Sequence, residues 1–281
     1  MGRVTATLTQ PKSVPIRQVP ARRIATGEGG TAPRDETVGV VVEAAVTIDV
    51  ERAESYTLLT TPCDERALVL GFLCSEGVID HPDELDSLEP CQDDEATFRV
   101  RLKASPPRIQ DEGRNLLIVS SCGLCGAESL DRKVTALPVV RESLCIAADV
   151  LPTARDRLRE EQDLFRACGG THAAGIFDAT GQLVSWAEDL GRHNALDKAI
   201  GKCWLAGQSP AGLAVMLSGR VSLEMVGKCA RAGLELIGAI SAPTSLALDA
   251  AERCNITLCA FVREARATVF THPRRVVTDP A

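Results

Sequence analysis

From His172 to Val277 the chain alternates strand-like and helix-like runs, and few architectures accommodate that regularity. "HAAGIFD" and "LVSWAED" flank Thr180-Gly181 and predict a hairpin, two apolar runs folded back on a tight turn. "NALDKAIGKCWLAG" predicts a helix, because Ala195, Leu196, Ala199, Ile200, Cys203 and Trp204 share one face and Gly207 ends it. "AVMLSG" then reads as strand, "SLEMVGKCARAG" as helix closed by Gly233, "ELIGAIS" as strand and "TSLALDAAERC" as helix. "TLCAFV" and "ATVFT" complete the series as strands. The β-β-α-β-α-β-α-β-β order implies an α/β fold, a mostly parallel sheet with helices on both faces.

Upstream the pattern differs. Residues 1–36 are rich in Thr, Pro, Gly and Arg without periodicity, and predict a disordered or loosely attached tail. Residues 37–115 predict a small N-terminal α+β subdomain. In it "VGVVVEAAVTIDV" and "TFRVRLKA" read as strands, and "CDERALVLGFLCSEG" as an amphipathic helix stopped by Gly77. After the Pro106-Pro107 break, "NLLIVSS" opens the α/β domain, residues 116–281, and runs directly into "SSCGLCG", Ser120–Gly126. The stretch from Arg141 to Gly170 predicts at least one helix ending near Cys168.

Composition narrows the function. A net charge of -7 and only 3% aromatic residues argue against a nucleic-acid binder, while leaving room for a local basic pocket. The 11 cysteines are odd in number and mostly sit in apolar runs. Cys203, Cys229, Cys254 and Cys259 read as small core residues, which points to a reducing compartment, the cytoplasm. Arg22-Arg23 is followed by a polar stretch rather than an apolar one, and the uncharged run 236–248 is too short to span a bilayer.

In an open α/β sheet, ligands gather beyond the carboxyl ends of strands, against helix N-termini. Three loops take that position. The first contains Arg192 and His193, the second is Ser218-Gly219-Arg220, and the third ends in Thr244. Each joins small or hydroxyl residues to a helix start, and two add an arginine, which suits a phosphate. Capping alone also explains Ser, Thr and Asn at these places, and both readings stand. His172 and His193 read equally as hydrogen-bonded core residues or as chemical groups.

The C-x-x-C of "SSCGLCG", Cys122 and Cys125, is the one such pair in the chain. Structural zinc needs four ligands, and no second pair exists. A thioredoxin role lacks the matching strand order. Flanking serines and glycines make the pair polar and accessible. That suits a thiolate that attacks a persulfide and holds its terminal sulfur while a neighbour helps release it.

Taken together, "TPCDERALVLGFLCSEGVI", "SSCGLCG", "GGTHAAGIFD", "EDLGRHNALDKAIG", "SGRVSLEMVGKCARAG", "SAPTSLALDAA" and "FVREARATVFTHPRRV" resemble the formate dehydrogenase accessory sulfurtransferases, the FdhD/NarQ family. The resemblance runs in order from about Val38 to about Val276. It implies a cytidine-deaminase-like three-layer α/β/α domain with a mixed sheet and no deaminase zinc. A small α+β subdomain precedes it, and the chain pairs as a homodimer. It implies sulfur taken from a cysteine desulfurase as a persulfide on Cys122, with Cys125 assisting. Delivery is to the molybdenum (or tungsten) bis(molybdopterin guanine dinucleotide) cofactor destined for formate dehydrogenase. Phe261, Val262, Arg263, Glu264, Ala265 and Arg266 match the family's cofactor-binding segment. The protein is expected to hold no metal of its own and to bind neither nucleic acid nor membrane. A chaperone that binds and inserts the cofactor without moving sulfur is the competing reading. Three residues depart from the family pattern: Glu51-Arg52 stands for Asn-Gly, Thr60 for Arg, and Cys168 for Thr, the last a small-residue exchange.

Overall fold

In the computed structural model of the chain, the alternation read from His172 onward forms one six-stranded sheet of order β10-β9-β11-β12-β13-β14. The strands are β9 (His172–Phe177), β10 (Leu183–Asp189), β11 (Ala214–Leu217), β12 (Leu236–Ala239), β13 (Thr257–Arg263) and β14 (Arg266–Val269). The structure describes residues 14–26, 32–53, 55–104, 116–118 and 136–278. The sheet is mixed rather than mostly parallel. Only β11–β12 and β12–β13 pair in parallel, because a tight hairpin at each edge forces antiparallel neighbours. β11 then enters on the free side of β9 and runs antiparallel to it.

Alternation along each strand sends side chains to two separate cores. Ala174, Ile176, Val215, Leu217, Ile237, Leu258 and Ala260 pack under α4 (Arg192–Leu205), α5 (Leu223–Ala232) and α6 (Ser245–Arg253). On the other face Ala173, Phe177, Ala214, Met216, Leu236 and Cys259 meet Leu151, Ala154 and Leu158 of α2 (Val150–Glu160). A short helix, α3 (Asp163–Cys168), links α2 to β9. Helices therefore cover both faces, as the element order implies. Cys203, Cys229, Cys254 and Cys259 are buried in these cores.

The N-terminal part builds a second sheet of order β5-β6-β3-β4-β7. Its strands are β3 (Ala44–Val50), β4 (Ser55–Thr60), β5 (Leu85–Pro90), β6 (Thr97–Leu102) and β7 (Leu116–Ile118). Its core lies under α1 (Glu65–Ser75). The unusual Glu51-Arg52 pair sits in the β3–β4 turn, with Arg52 at φ 64°.

Two boundaries differ from the sequence reading. β1 (Ile16–Arg23) pairs along its length with β2 (Arg34–Val41), so residues 16–23 form a ribbon rather than a tail. The ribbon rests on α3, where Gly39 comes within contact of the Ala167 carbonyl. Leu116–Ile118, assigned to the start of the second domain, instead extends the first sheet beside β4. β8 (Ile146–Ala147) and β15 (Val276–Val277) form a separate parallel pair.

The two halves meet where α1 crosses α4 with backbones touching. A Cβ on Gly71 would lie 1.8 Å from the Asp197 carbonyl oxygen, and one on Gly201 1.9 Å from that of Ala67. No side chain fits at either position. Gly201→Ala is therefore expected to destabilise the fold by about 3 kcal/mol or more, the upper end of overpacking costs. Gly227→Ala, in an α5 position where the new methyl makes ordinary contacts, is expected to be neutral or to stabilise by up to ~1 kcal/mol. Urea melts of the two variants check the contrast.

Candidate functional site

A cavity of about 1550 Å³ opens at the carboxyl ends of the central strands. One wall is the turn joining β13 to β14: Val262, Arg263, Glu264, Ala265 and Arg266. The opposite wall comes from α2 and α3, with Arg155, Arg159, Phe165 and Arg166. Thr171, His172 and Ser218 form the floor. Five arginines face three carboxylates, Asp156, Glu160 and Glu264, so the cavity is basic within an acidic protein.

The turn owes its shape to an irregularity. Phe261 takes φ 54°, a conformation costing a non-glycine residue roughly 1 kcal/mol, and the β13–β14 register shifts between Ala260 and Arg263. Val262 is buried there, while the Phe261 ring is partly exposed and lies 6.3 Å from that of Phe270. Arg263 is pinned by donating to the carbonyls of Ile240 and Val262, at 2.7 and 2.9 Å. Arg155 is held by Asp156, and Arg166 by Asp163 and the carbonyls of Arg159 and Glu160. Among the described residues, the guanidinium groups of Arg159 and Arg266 have no hydrogen-bond or ion-pair partner. Two guanidinium groups are thus free to meet an anion.

At the floor, the Ser218 hydroxyl accepts from the Ala173 N–H at 2.9 Å and lies 3.4 Å from His172 Nδ1. Burial, and after it the charge of Arg192, hold the His172 pKa below its ordinary value, against the weaker pull of Asp189. Both effects favour the neutral imidazole, which keeps one N–H donor.

Glu188 at the end of β10 braces the opposite wall. Its carboxylate accepts from the N–H groups of Leu164 and Phe165, at 2.7 and 2.9 Å, and from the Thr171 hydroxyl at 2.7 Å. The side chain of Gln162, at the N-cap of α3, makes no capping bond, so a residue from another element does that work.

Of the residues singled out in the sequence, Val262 to Arg266 and Ser218 come together around the cavity. Arg192, His193, Gly219, Arg220, Thr244 and Phe261 are not among its lining residues. Arg192 packs on Gly219 beside His172, and His193 Nε2 sits 3.0 Å from a Glu224 carboxylate oxygen. That hydrogen bond is the main cause holding the Glu224 carboxyl below its usual range. Thr244 caps α6, its hydroxyl accepting from the Ala247 N–H. Cys168 donates to the Leu164 carbonyl at 3.1 Å, turned back on its own helix. Cys122 and Cys125 lie outside the described residues; the chain leaves β7 at Ile118, which pairs with Leu58 two residues before Thr60.

The "EDLGRHNALDK" stretch does more than flank a ligand loop. Asp189, fully buried, accepts from Thr60 Oγ1 (2.5 Å), the Thr61 N–H (2.9 Å) and Lys198 Nζ (2.6 Å). Asn194 donates to the Leu59 carbonyl, and Lys198 to that of Thr61. Lys228 Nζ bridges Asp197 (2.8 Å), Ser75 (2.9 Å) and Glu76 (2.7 Å). These charged residues bolt the N-terminal sheet and α1 to the α/β domain. Apart from the bonds of Asp189 with Lys198 and Asn194, the partners lie over a hundred residues away or on another helix, beyond the reach of a sequence reading.

None of the described helices is long and apolar enough to cross a membrane. Among the described residues, no group of three His, Cys, Asp or Glu could hold a metal ion.

The fold is shared with a solved structure, a formate dehydrogenase accessory protein from Desulfotalea psychrophila. Its TM-score is 0.72 at 24% identity, over 92% of this chain and 99% of that one. Among sequences, the chain is 39% identical over 221 residues to the sulfur carrier protein FdhD of Sulfurisphaera tokodaii, covering 78% of this chain and 83% of that protein. It is 37% identical over 267 residues to the protein of the same name from Streptomyces avermitilis, covering 90% and 94%. With the Nocardia farcinica protein of that name the match is 35% over 282 residues, 98% and 96% of the two chains. The FdhD/NarQ family model matches residues 41–277, and the chain belongs to that family.

Proposed function

We propose that the chain is a sulfur carrier serving formate dehydrogenase, and that Cys122 holds the sulfur as a persulfide. The Cys122 thiolate attacks the terminal sulfur of a cysteine desulfurase persulfide. The donor S–S bond breaks, the desulfurase leaves as a thiolate, and Cys122 carries the sulfane sulfur. The Cys125 thiolate then attacks the inner sulfur of that persulfide. The thiol pair supplies two electrons, sulfide is released, and Cys122 and Cys125 close as a disulfide that a cellular thiol reductant reopens. The sulfide becomes a ligand of the molybdenum (or tungsten) bis(molybdopterin guanine dinucleotide) cofactor held in the arginine-lined cavity.

The observation that carries this reading is one basic cavity built jointly by the Val262–Arg266 turn and α2–α3, in a chain that also holds "SSCGLCG". The diphosphates of the cofactor's nucleotide arms match the free guanidinium groups of Arg159 and Arg266, and the neutral donor of His172 is suited to a phosphate oxygen. The six-stranded mixed sheet between helix layers supports the cytidine-deaminase-like description of the second domain. A homodimer acting in the cytoplasm completes the proposal.

Intact mass measurement tests it. After incubation with a cysteine desulfurase and cysteine, the protein is expected to gain the mass of one sulfur atom, removable by a thiol reductant and absent from Cys122→Ala. If the parent never gains sulfur, a cofactor-binding chaperone is the correct reading.

A further inference from the structure

We infer that Thr60 and Asn194 are positioning residues for sulfur delivery: they fix the strand from which the C-x-x-C segment departs against the floor of the basic cavity. The inference rests on the reading of the chain as a sulfur carrier and concerns the delivery half of that reaction. A series of contacts joins the two places. β7 is the edge strand of the N-terminal sheet and is held there by β4, Ile118 beside Leu58. The next three residues after Leu58 are each gripped from the chain that follows β9. Asn194 Nδ2 donates to the Leu59 carbonyl at 2.7 Å, and Thr60 Oγ1 donates to Asp189 Oδ2 at 2.5 Å. The Thr61 N–H donates to the same oxygen at 2.9 Å. Asp189 in turn stands opposite His172 in the β9–β10 hairpin, and His172 belongs to the cavity floor.

Every link is fixed. Thr60 and Asp189 are fully buried, and the Asn194 amide also donates to Asp189 Oδ1 at 3.0 Å, so one side chain spans both halves. Slack is scarce as well: Cys122 stands four residues beyond Ile118, a length of chain that spans at most about 14 Å. A small shift at the end of β4 therefore moves the root of the thiol relative to the cavity. Misplacing a reacting group by about 1 Å can cost on the order of 100-fold in rate. Lys198 and the α1–α4 crossing hold the halves together without these two side chains, so position can be lost while the fold persists.

Sulfur loading and delivery are measured separately on the full-length protein. Loading is the gain of one sulfur after incubation with a cysteine desulfurase and cysteine, read by intact mass. Delivery is the activation of formate dehydrogenase by the loaded protein in the presence of the cofactor. Thr60→Val, which keeps the shape and removes the hydroxyl, is expected to load at the parental rate and to deliver about tenfold more slowly. Thr60→Ser restores the hydroxyl and should deliver like the parent, and Asn194→Ala should repeat the Thr60→Val result. Parental delivery in Thr60→Val and Asn194→Ala overturns the inference. A parallel fall of loading and delivery with a lowered urea midpoint also overturns it, since that marks a structural effect, as does a Thr60→Ser protein no better than Thr60→Val. If the parent never gains sulfur, the sulfur-carrier reading falls, and the inference with it.

Discussion

Cys122→Ala is expected to abolish formate dehydrogenase activity in cells that depend on this chain, with no change in the protein's own unfolding midpoint. The sulfane sulfur needs a thiolate to receive it, and an alanine methyl cannot form the S–S bond. The buried core thiols cannot substitute. Burial pushes Cys203 up to about 11, partly opposed by a hydrogen bond from Ser185, and Cys259 up to about 12, so neither is a thiolate at neutral pH. Cys168 points back at the Leu164 carbonyl. Cys125→Ala separates the two thiols of the motif. The persulfide still forms on Cys122 but lacks its resolving partner, so adduct accumulates while enzyme activity falls. A fully active Cys122→Ala strain contradicts the assignment.

Lys228→Met is expected to cost about 3–5 kcal/mol of stability, because it strands the buried Asp197 carboxylate without its cation. For a chain of this size that lowers the melting temperature by on the order of 10 °C. Burial alone pulls the Lys228 ammonium down, but Asp197 and then Glu76 more than reverse this, so its pKa stands above the ordinary lysine value. On the carboxylate side, burial pushes Glu76 up, and the charge and hydrogen bond of Lys228 overcome it, leaving its pKa lowered. A carboxylate depressed in the folded state contributes stability that is present above its unfolded pKa and lost as pH falls through the folded value. The parent should therefore lose this increment on acidification below about pH 4.3, while Lys228→Met, already without it, shows a flatter acid limb. Thermal melts across that pH range measure both effects. A melting temperature within a degree or two of the parent would show that the junction between the halves does not depend on this charge.

The second domain was legible because its cores obey simple periods. Ala195, Leu196, Ala199, Ile200 and Cys203 recur at helical spacing and are all buried, and strands such as Ala214–Leu217 are short apolar runs closed on both sides. The parts that were not legible depend on partners far along the chain. β1 has no clean alternation and contains Pro20, which an isolated two-stranded ribbon tolerates and a central strand does not. Leu116–Ile118 carries no sign that its neighbour is β4, sixty residues earlier in register, rather than the strands that follow. The turn from Phe261 to Arg266 was found through resemblance. The wall from α2 and α3 was missed because arginines scattered along a helical stretch and a single phenylalanine carry no spacing that marks a ligand site. A signal was present in the mixture itself: an arginine-rich helix end immediately before a lone aromatic, Gly169-Gly170 and a histidine. Likewise Asp189 and Asn194 stand in the loop read for ligand binding, and Asp197 and Lys198 in the helix read after it, and all four prove to hold the two halves together.

If sulfur passes through Cys122 to the cofactor, as proposed, a labelled atom can be followed along that route. The most direct measurement loads the protein with heavy-isotope sulfur from labelled cysteine and a desulfurase, removes the donor, and supplies cofactor and formate dehydrogenase. The label is expected to leave the protein and appear in the cofactor isolated from active enzyme, and to do neither with Cys122→Ala. Active formate dehydrogenase whose cofactor carries no label, with the heavy sulfur still on the protein, would contradict the account.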